Sequence, residues 1–589
     1  MADFSLQLQA DNLPGESLNE LLVEGPWAPI LKRLATGENI LLEGCRGVGK
    51  TMLMRTAASR LAHSVKNGGK VLGVHTTFKR YLATIPPPGS TNISELGNFK
   101  AWVNARILSA LKDQLRLAFS DDPRFINSIV RKVDWSKIIS LLETTYQGNQ
   151  RPTDLATINS AGLSEADFKS LQGYTFTSEI LQETRKSFNL ELLVLLLDDA
   201  AHALDTRAQG EFFTLVKSLY GEGLSFKIAV YPAVTRYGLD FSYGHDAIVV
   251  SLGEIPKVDT MDSYFDMLRR RIQTNNEGGD AQALIEHVLD AHPEWIRLLV
   301  YCANGNPRGL LKLISQLLTE LGGKSANQVR YEHVRSAINF VMDRHLDNMV
   351  PGVVKDLDPR LLTAAELLLE DFRNRIKASP QTKPDSLPRM FLAITNSMQI
   401  PYLCSAAIRL HVAAHVLTHY GPAKLGARSR ENGTLYLLHP GFMFRDNVLG
   451  GAVTADKWLQ HFDNMTTRGH TEIIKSAPIW EEVRAEASQE PSARCINNHP
   501  MMEPTGTCDH CGGRATPRGP AAILLDKDIK VLELSEFIKQ RLRNYGYDTV
   551  RKVFEATDEQ IDNIPYIGER RLAEVRFAVD AAVDEFFAG

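Results

Sequence analysis

The residues Gly44-Cys45-Arg46-Gly47-Val48-Gly49-Lys50-Thr51 have the spacing GxxxxGKT, directly after the apolar run Ile40-Leu41-Leu42 and directly before a helix-like segment. Gly44, Gly47 and Gly49 let the backbone curl so that successive N–H groups point at phosphate oxygens. Lys50 then reaches the β/γ oxygens and the Thr51 hydroxyl coordinates Mg2+. A chance Gly-rich turn is the alternative, but strand, loop, Lys-Thr pair and helix in this order favour a nucleotide site. Downstream, six apolar residues from Leu192 to Leu197 run into Asp198-Asp199, the pattern of a buried parallel strand. In such sites the first acid holds Mg2+ through water and the second polarises the attacking water, which assigns Asp198 and Asp199 in that order. A buried strand ending in two solvated carboxylates is the competing account, and the phosphate loop upstream weighs against it.

Elements must be arranged to bring these groups together. Strand candidates are Asn39 to Glu43, Val71 to His75, Leu192 to Leu197, Lys227 to Tyr231 and Ile248 to Leu252, separated by helical patterns, which implies a parallel α/β core over residues 1–260. An insertion of about 85–185 lies between the second and third strands. It includes the helical pattern Phe99 to Phe119, whose apolar spacing reads as packing more than as a partner surface. From Met261 to about 345 the pattern is wholly helical and reads as a lid. A Pro- and Lys-containing stretch, Ala378 to Pro388, reads as a linker or long loop. The helical segment LCSAAIRLHVAAHVLTHYG is followed by two short extended runs around Glu431-Asn432-Gly433, which suggests a winged helix within 346–475, with Arg428 and Arg430 on the wing. Such a wing serves either DNA binding or packing.

At 589 residues the chain is too long for one core, and three to five domains are expected. Its apolar and charged fractions, 44% and 23%, are those of an ordinary globular protein, and a net charge of −4 excludes wholesale coating of nucleic acid. The first residues carry no signal-peptide pattern and the longest apolar run is far short of a membrane span, so a cytoplasmic protein with no membrane partner is expected.

Phosphate loop, acidic strand, polar strand end, Gly-Asn-Pro-Arg in a helical lid and a following winged helix together resemble the origin-recognition-type AAA+ ATPases and their relatives, the STAND signalling ATPases, over residues 15 to 445. The resemblance implies a P-loop αβα ATPase core using ATP and Mg2+. It also implies a polar γ-phosphate sensor after the fourth strand, offered here by Thr235 and Arg236, and a lid arginine that reports nucleotide state, matched by Arg308 in GNPRG. Thr235 is otherwise a strand-end cap and Arg236 a surface residue. The usual Asp-Glu pair is Asp-Asp here, which implies slow hydrolysis.

Two small modules follow. Only six cysteines occur, and Cys495, Cys508 and Cys511 crowd together with His499 in the order Cys-x3-His-x8-Cys-x2-Cys within 476–520. Four such ligands suit a tetrahedral structural Zn2+, with His510 as a substitute for His499; reduced, unliganded cysteines on a loop are the alternative. Over residues 521–589, LRNYGYDTVRKVFEATDEQIDNI and IPYIGERRLAEV resemble helix-hairpin-helix domains, especially the C-terminal domain of the RNA polymerase α subunit. That resemblance implies backbone N–H groups near Gly568 on a DNA phosphate, assisted by Arg570 and Arg571. Acidic residues outnumber basic ones there, so protein docking is the rival role.

The expected fold is therefore multidomain α/β plus α: an AAA+-like core, helical lid, winged helix, zinc module and C-terminal helix-hairpin-helix. The expected function is an ATP-dependent switch associated with double-stranded DNA, forming homo-oligomers and acting with a separate effector protein. The resemblance places such switches in replication initiation, transposition or anti-phage defence. The alternative is a STAND-like sensor that oligomerises on a protein ligand without essential DNA contact.

Overall fold

The computed structural model describes residues 15–78, 93–119, 126, 130–144, 155–200, 206–232, 235–238, 240–253, 260–273, 279–321, 328–353, 359–378, 389–395, 400–425, 432–464, 471–474, 478–487, 493–494, 500–501, 527–532 and 534–587. The chain forms two compact units. The first comprises Met1–Tyr231, Thr235–Glu286 and Asn306–Leu311, and the second Pro232–Val234, His287–Gly305 and Lys312–Gly589.

The first unit is built on five strands, β1 (Ile40–Glu43), β2 (Val71–Thr77), β3 (Leu192–Asp198), β4 (Leu224–Val230) and β5 (Ile248–Ser251), in the spatial order β2-β3-β4-β1-β5. Every pairing is parallel. Apolar residues on both faces explain why: Leu193, Leu195 and Leu197 join one core with Leu72, Val74 and Ile228, while Val194 and Leu196 join another with Leu42, Met54 and Ala229. Parallel neighbours need crossovers, and helices α1 (Gly15–Leu21), α2 (Ala28–Leu34), α3 (Lys50–Lys66) and α4 (Ile93–Ala118) cover the faces. Within α4, Phe99, Trp102, Leu108, Leu111 and Leu115 recur at helical spacing and are fully buried in the core that α4 forms with β2 and its neighbouring helices. The parallel α/β core expected from the sequence is thus present. Strand β4 begins at Leu224 and leaves the ladder at Val230, so Tyr231, read from sequence as strand, stands just beyond it.

This order places β4 between the strand that feeds the phosphate loop and the strand that ends in the acids. Ligands of open α/β sheets bind beyond the carboxyl ends of the strands. Here that edge carries Gly44, Tyr231 and Asp198-Asp199 side by side.

From Met261 on, the sequence folds as helices Met261–Gln273, Gly279–Ala291, Pro293–Cys302, Pro307–Glu320, Tyr331–Val353 and Pro359–Ala378. The second unit holds a four-stranded sheet of β6 (Phe391–Thr395), β7 (Leu417–Lys424), β8 (Asn432–Leu438) and β9 (Thr471–Ile474), in the order β7-β8-β6-β9. One expectation is corrected here. The segment LCSAAIRLHVAAHVLTHYG is not helical throughout: its helix is Tyr402–Ala413, and LTHYGPAK is strand β7. The helix stops because His415 takes φ +62 and Val416 N–H bonds back to His411 O at 2.9 Å, with His415 N–H on Val412 O at 3.1 Å. That is the Schellman arrangement without its usual glycine, so no residue type announced it. The hairpin β7–β8 is present, with Ala423 opposite Gly433, but Arg428 and Arg430 lie outside the described residues. A parallel strand, β9 beside β6, and the helix Pro478–Ala487 add to this sheet domain in a way the sequence reading did not anticipate. Among the described residues, no helix is long and apolar enough to cross a membrane.

Candidate functional site

The phosphate loop owes its path to its glycines. Gly47 and Gly49 adopt φ +94 and +100, values that L side chains rarely take. Gly49 caps α3, so Lys50 and Thr51 open that helix and its positive end faces the loop. Gly47 is also closely covered: a Cβ there would lie 2.6 Å from Asn306 Oδ1 and 2.9 Å from Arg308 Cβ. The covering segment is fastened by Asn306 Nδ2 donating to Arg46 O at 2.8 Å and Arg308 N–H directed at Gly47 O at 3.4 Å. Asn306 Oδ1 in turn accepts from Gly309 N–H at 3.1 Å, capping the first turn of the helix Pro307–Glu320. The GNPRG segment is therefore seated directly on the phosphate loop.

Lys50 is buried and donates to Gly44 O and, at 3.1 Å, to Cys45 O. Its ammonium also lies over the Tyr231 ring, 4.1 Å from the centroid. Burial pulls its pKa down to about 8, against the opposing pull of Cys45, Asp198 and Asp199. Asp198 is buried at the end of β3; its Oδ1 accepts the Asp199 N–H at 2.9 Å and its Oδ2 faces His75 Nε2 at 3.7 Å, an ion-pair distance and too long for a hydrogen bond. Burial pushes its pKa up, but His75, the Thr51 hydroxyl and Lys50 outweigh that and hold the carboxyl below its ordinary value. Asp199 takes φ +54, and its two oxygens accept from Thr77 Oγ1 and Tyr231 OH, both at 3.3 Å.

Mg2+ is the ion such a loop implies, and the donor set fits it. Asp198 Oδ2 is a buried carboxylate oxygen with no hydrogen-bond partner among the described residues, and the Thr51 hydroxyl is among the groups that hold this carboxyl's pKa down. Thr51 and Asp198 are the residues that would hold it.

A cleft opens from the loop toward an apolar end. It spans about 1090 Å³ including its solvent-open mouth. Leu22, Val23, Trp27, Met267 and Leu311 line it together with the phosphate loop, Arg271 and Arg308. Burial lowers the Arg271 pKa. The Leu22–Trp27 stretch is held by Arg270 Nη1 donating to Leu22 O at 2.7 Å and by the Trp27 ring edge-on to Tyr264 at 5.9 Å. Sequence reasoning missed this apolar wall because its residues come from segments about 240 positions apart and no local spacing links them.

Of the residues singled out from sequence, Gly44, Gly47, Gly49, Lys50, Thr51, Asp198, Asp199 and Arg308 converge on this one edge. Thr235 and Arg236 do not line the cleft. Thr235 Oγ1 accepts from Tyr231 N–H and donates to Tyr231 O, both at 2.9 Å, and so closes the turn after β4. Arg236 N–H bonds Gln209 Oε1 at 2.7 Å. The polar group that does reach the site from the end of β4 is Tyr231.

The other assigned residues lie elsewhere. Cys495, His499, Cys508 and Cys511 lie outside the described residues, as does His510; the flanking Ala493–Arg494 and Pro500–Met501 pair as a two-stranded antiparallel ribbon. Among the described residues no group of His, Cys, Asp or Glu is placed to hold a metal on its own. Gly568 precedes the helix Glu569–Phe587, with open space where a Cβ would stand. Arg570 is 95% exposed and 3.7 Å from Glu574, whereas Arg571 donates to Tyr566 O at 2.6 Å and lies 5.1 Å from the Phe537 ring centroid. Arg570 is thus the more available cation at this turn.

No protein-family model matches the chain, and no curated protein matches it. Among solved structures, the chain is similar to the Aeropyrum pernix ORC2 protein in its ADPNP–ADP complexes, at 13% identity, covering 78% of this chain and 96% of that one with a TM-score of 0.33. It is also similar to the Aeropyrum pernix ORC1 protein in complex with DNA, at 15% identity, covering 75% of this chain and 94% of that one with a TM-score of 0.30.

Proposed function

We propose that this chain is an AAA+-type ATPase that works as a DNA-associated molecular switch. The observation that carries the nucleotide half is the seating of Asn306–Arg308 on Gly47. Such a contact lets one lid segment register what occupies the phosphate loop. ATP would lie with its phosphates on the loop N–H groups and Lys50, and with its base against Leu22, Val23 and Trp27. Thr51 and Asp198 would hold Mg2+, which would neutralise negative charge on the phosphates. Asp199 orients the attacking water and accepts its proton, Arg308 faces the developing charge, and the apolar wall excludes bulk water. Thr235 and Arg236 keep the γ-phosphate sensor role that the resemblance implies, and Thr235 also closes the turn that places Tyr231.

The DNA half rests on sequence pattern: Arg428 and Arg430 in the β7–β8 connection, and Gly568 with Arg570 and Arg571 at the C-terminal turn. Zn2+ held by Cys495, His499, Cys508 and Cys511 would stabilise the intervening module. The domain limits 1–260, 261–345, 346–475, 476–520 and 521–589, assembly into homo-oligomers, and coupling to a separate effector in replication initiation, transposition or anti-phage defence belong to the same proposal. The test is ATP turnover measured with and without duplex DNA across a salt series. Stimulation by DNA that weakens as salt rises is expected, because phosphate contacts release counterions. Turnover indifferent to DNA at every salt concentration refutes the DNA half and leaves a sensor that oligomerises on a protein ligand.

A further inference from the structure

Tyr231 touches both halves of the phosphate site and belongs to neither motif. Its ring carries the Lys50 ammonium on one face at 4.1 Å, and its hydroxyl donates to Asp199 Oδ1 at 3.3 Å. Its backbone is pinned on both sides, N–H and C=O, by Thr235 Oγ1. Asp199 takes a left-handed φ of +54, and outside contacts fix its carboxylate. The hydroxyls of Thr77 and Tyr231 are among them.

We infer that Tyr231 is a positioning residue that ties the place of Asp199 to that of Lys50, so that engagement of the lysine by phosphate reaches the carboxylate through one aromatic ring. The inference rests on the nucleotide reading above. To reach a β/γ oxygen, Lys50 exchanges its contacts with the ring and with the Gly44 and Cys45 carbonyls for contacts with phosphate, so the ring competes with nucleotide for the ammonium. The ring is rigid, and its hydroxyl moves with it. Burial pushes the phenol pKa upward, which keeps the hydroxyl a donor throughout the neutral range. A merely space-filling aromatic would need no hydroxyl, and a merely hydrogen-bonding residue would need no ring; each contact can be removed separately.

The experiment uses the full chain and four variants, Tyr231→Phe, Tyr231→Leu, Asp199→Asn and the double variant Tyr231→Phe/Asp199→Asn, with Mg·ATP affinity measured by equilibrium titration beside steady-state turnover. Tyr231→Phe keeps the ring under Lys50 and loses the donor: affinity stays within about twofold while kcat falls at least about tenfold, the scale of one hydrogen bond to a charged group. Tyr231→Leu loses both contacts: kcat falls as in the Phe variant, and ATP binds about two- to fivefold more tightly because the ring no longer competes for the lysine. Tighter binding cannot come from a damaged fold. The double variant turns over no more slowly than Asp199→Asn alone, since Tyr231 acts through that carboxylate. A Phe variant with wild-type kcat, a Leu variant that binds more weakly, or losses that multiply in the double variant each overturn the inference. A wild-type chain that fails to bind ATP refutes the nucleotide reading itself. If the wild type binds without turning over, only the turnover part fails, and the affinity comparison between Phe and Leu still decides the role of Tyr231.

Discussion

Substituting Gly47 separates the two roles of the loop glycines, because Gly47 and Gly49 share a backbone conformation and differ in what surrounds them. Both take φ near +100, so Gly→Ala at either position costs about 1–2 kcal/mol in left-handed strain. At Gly49 nothing lies within 4 Å of the new Cβ, and the strain is the whole effect. At Gly47 the methyl would meet Asn306 Oδ1 at 2.6 Å and Arg308 Cβ at 2.9 Å, and the covering segment must move. Overpacking of this kind adds about 1–3 kcal/mol. Gly47→Ala should therefore destabilise the first unit by at least about 1 kcal/mol more than Gly49→Ala. Asn306→Ala removes the bonds to Arg46 O and Gly309 N–H and should cost about 1–2 kcal/mol alone, but less when added to Gly47→Ala, since it removes the clashing oxygen. Calorimetric unfolding identifies the relevant transition by its upward shift with Mg·ATP. Equal destabilisation by the two glycine variants, or strict additivity of Gly47→Ala with Asn306→Ala, would refute the seating of the lid segment on the loop.

Other outcomes follow from the same geometry. Asp199→Asn should retain Mg·ATP binding and lose most of its turnover, keeping a small measurable remainder, checked by titration beside phosphate release; loss of binding would contradict its assignment to the water. Lys227, fully buried in β4, donates to the Thr36 and Glu38 carbonyls, and burial lowers its pKa to about 7. Unfolded chains bind that proton up to the ordinary lysine value of 10.5, so wild type should gain stability relative to Lys227→Met as pH rises from 7 toward 10; a flat or opposite difference refutes this. Structural zinc contributes on the order of 10 kcal/mol of apparent binding energy, so chelation should unfold the module around 495–511 and spare ATP binding, with elemental analysis expected to find one zinc per chain and none after Cys508→Ser/Cys511→Ser. Replacing Arg428 and Arg430 together should weaken duplex binding across all sequences and shallow the log–log salt slope by about two, roughly 0.9 per lost phosphate contact. An unchanged slope removes them from the interface.

The loop and the acids were legible because their chemistry is local: GxxxxGKT and Leu192–Asp199 each carry their own spacing, and alternation along β3 assigns its residues to two cores. The lid contact was partly legible, since GNPRG named Arg308, but the covering of Gly47 by Asn306 needs the fold. Tyr231 was hidden by a strand limit. Read as the last residue of β4, it had no reason to turn into the site, and the family resemblance assigned the polar group after that strand to Thr235 and Arg236. Strand β7 was hidden for a different reason. Its helix ends on His415 in a conformation that glycine normally supplies, so the apolar pattern continued without a stop signal. The apolar wall of the cleft joins Leu22–Trp27 to Met267 and Leu311, and only tertiary packing brings them together.

The most direct measurement of the central claim is the Mg·ATP titration of the wild-type chain against Lys50→Ala, with thermal unfolding followed on the same samples. The account predicts saturable binding by the wild type, an upward shift of its unfolding transition with ATP, and neither effect in a Lys50→Ala chain that still unfolds cooperatively without nucleotide. Equal affinity in the two proteins would contradict the assignment of this cleft as a nucleotide site.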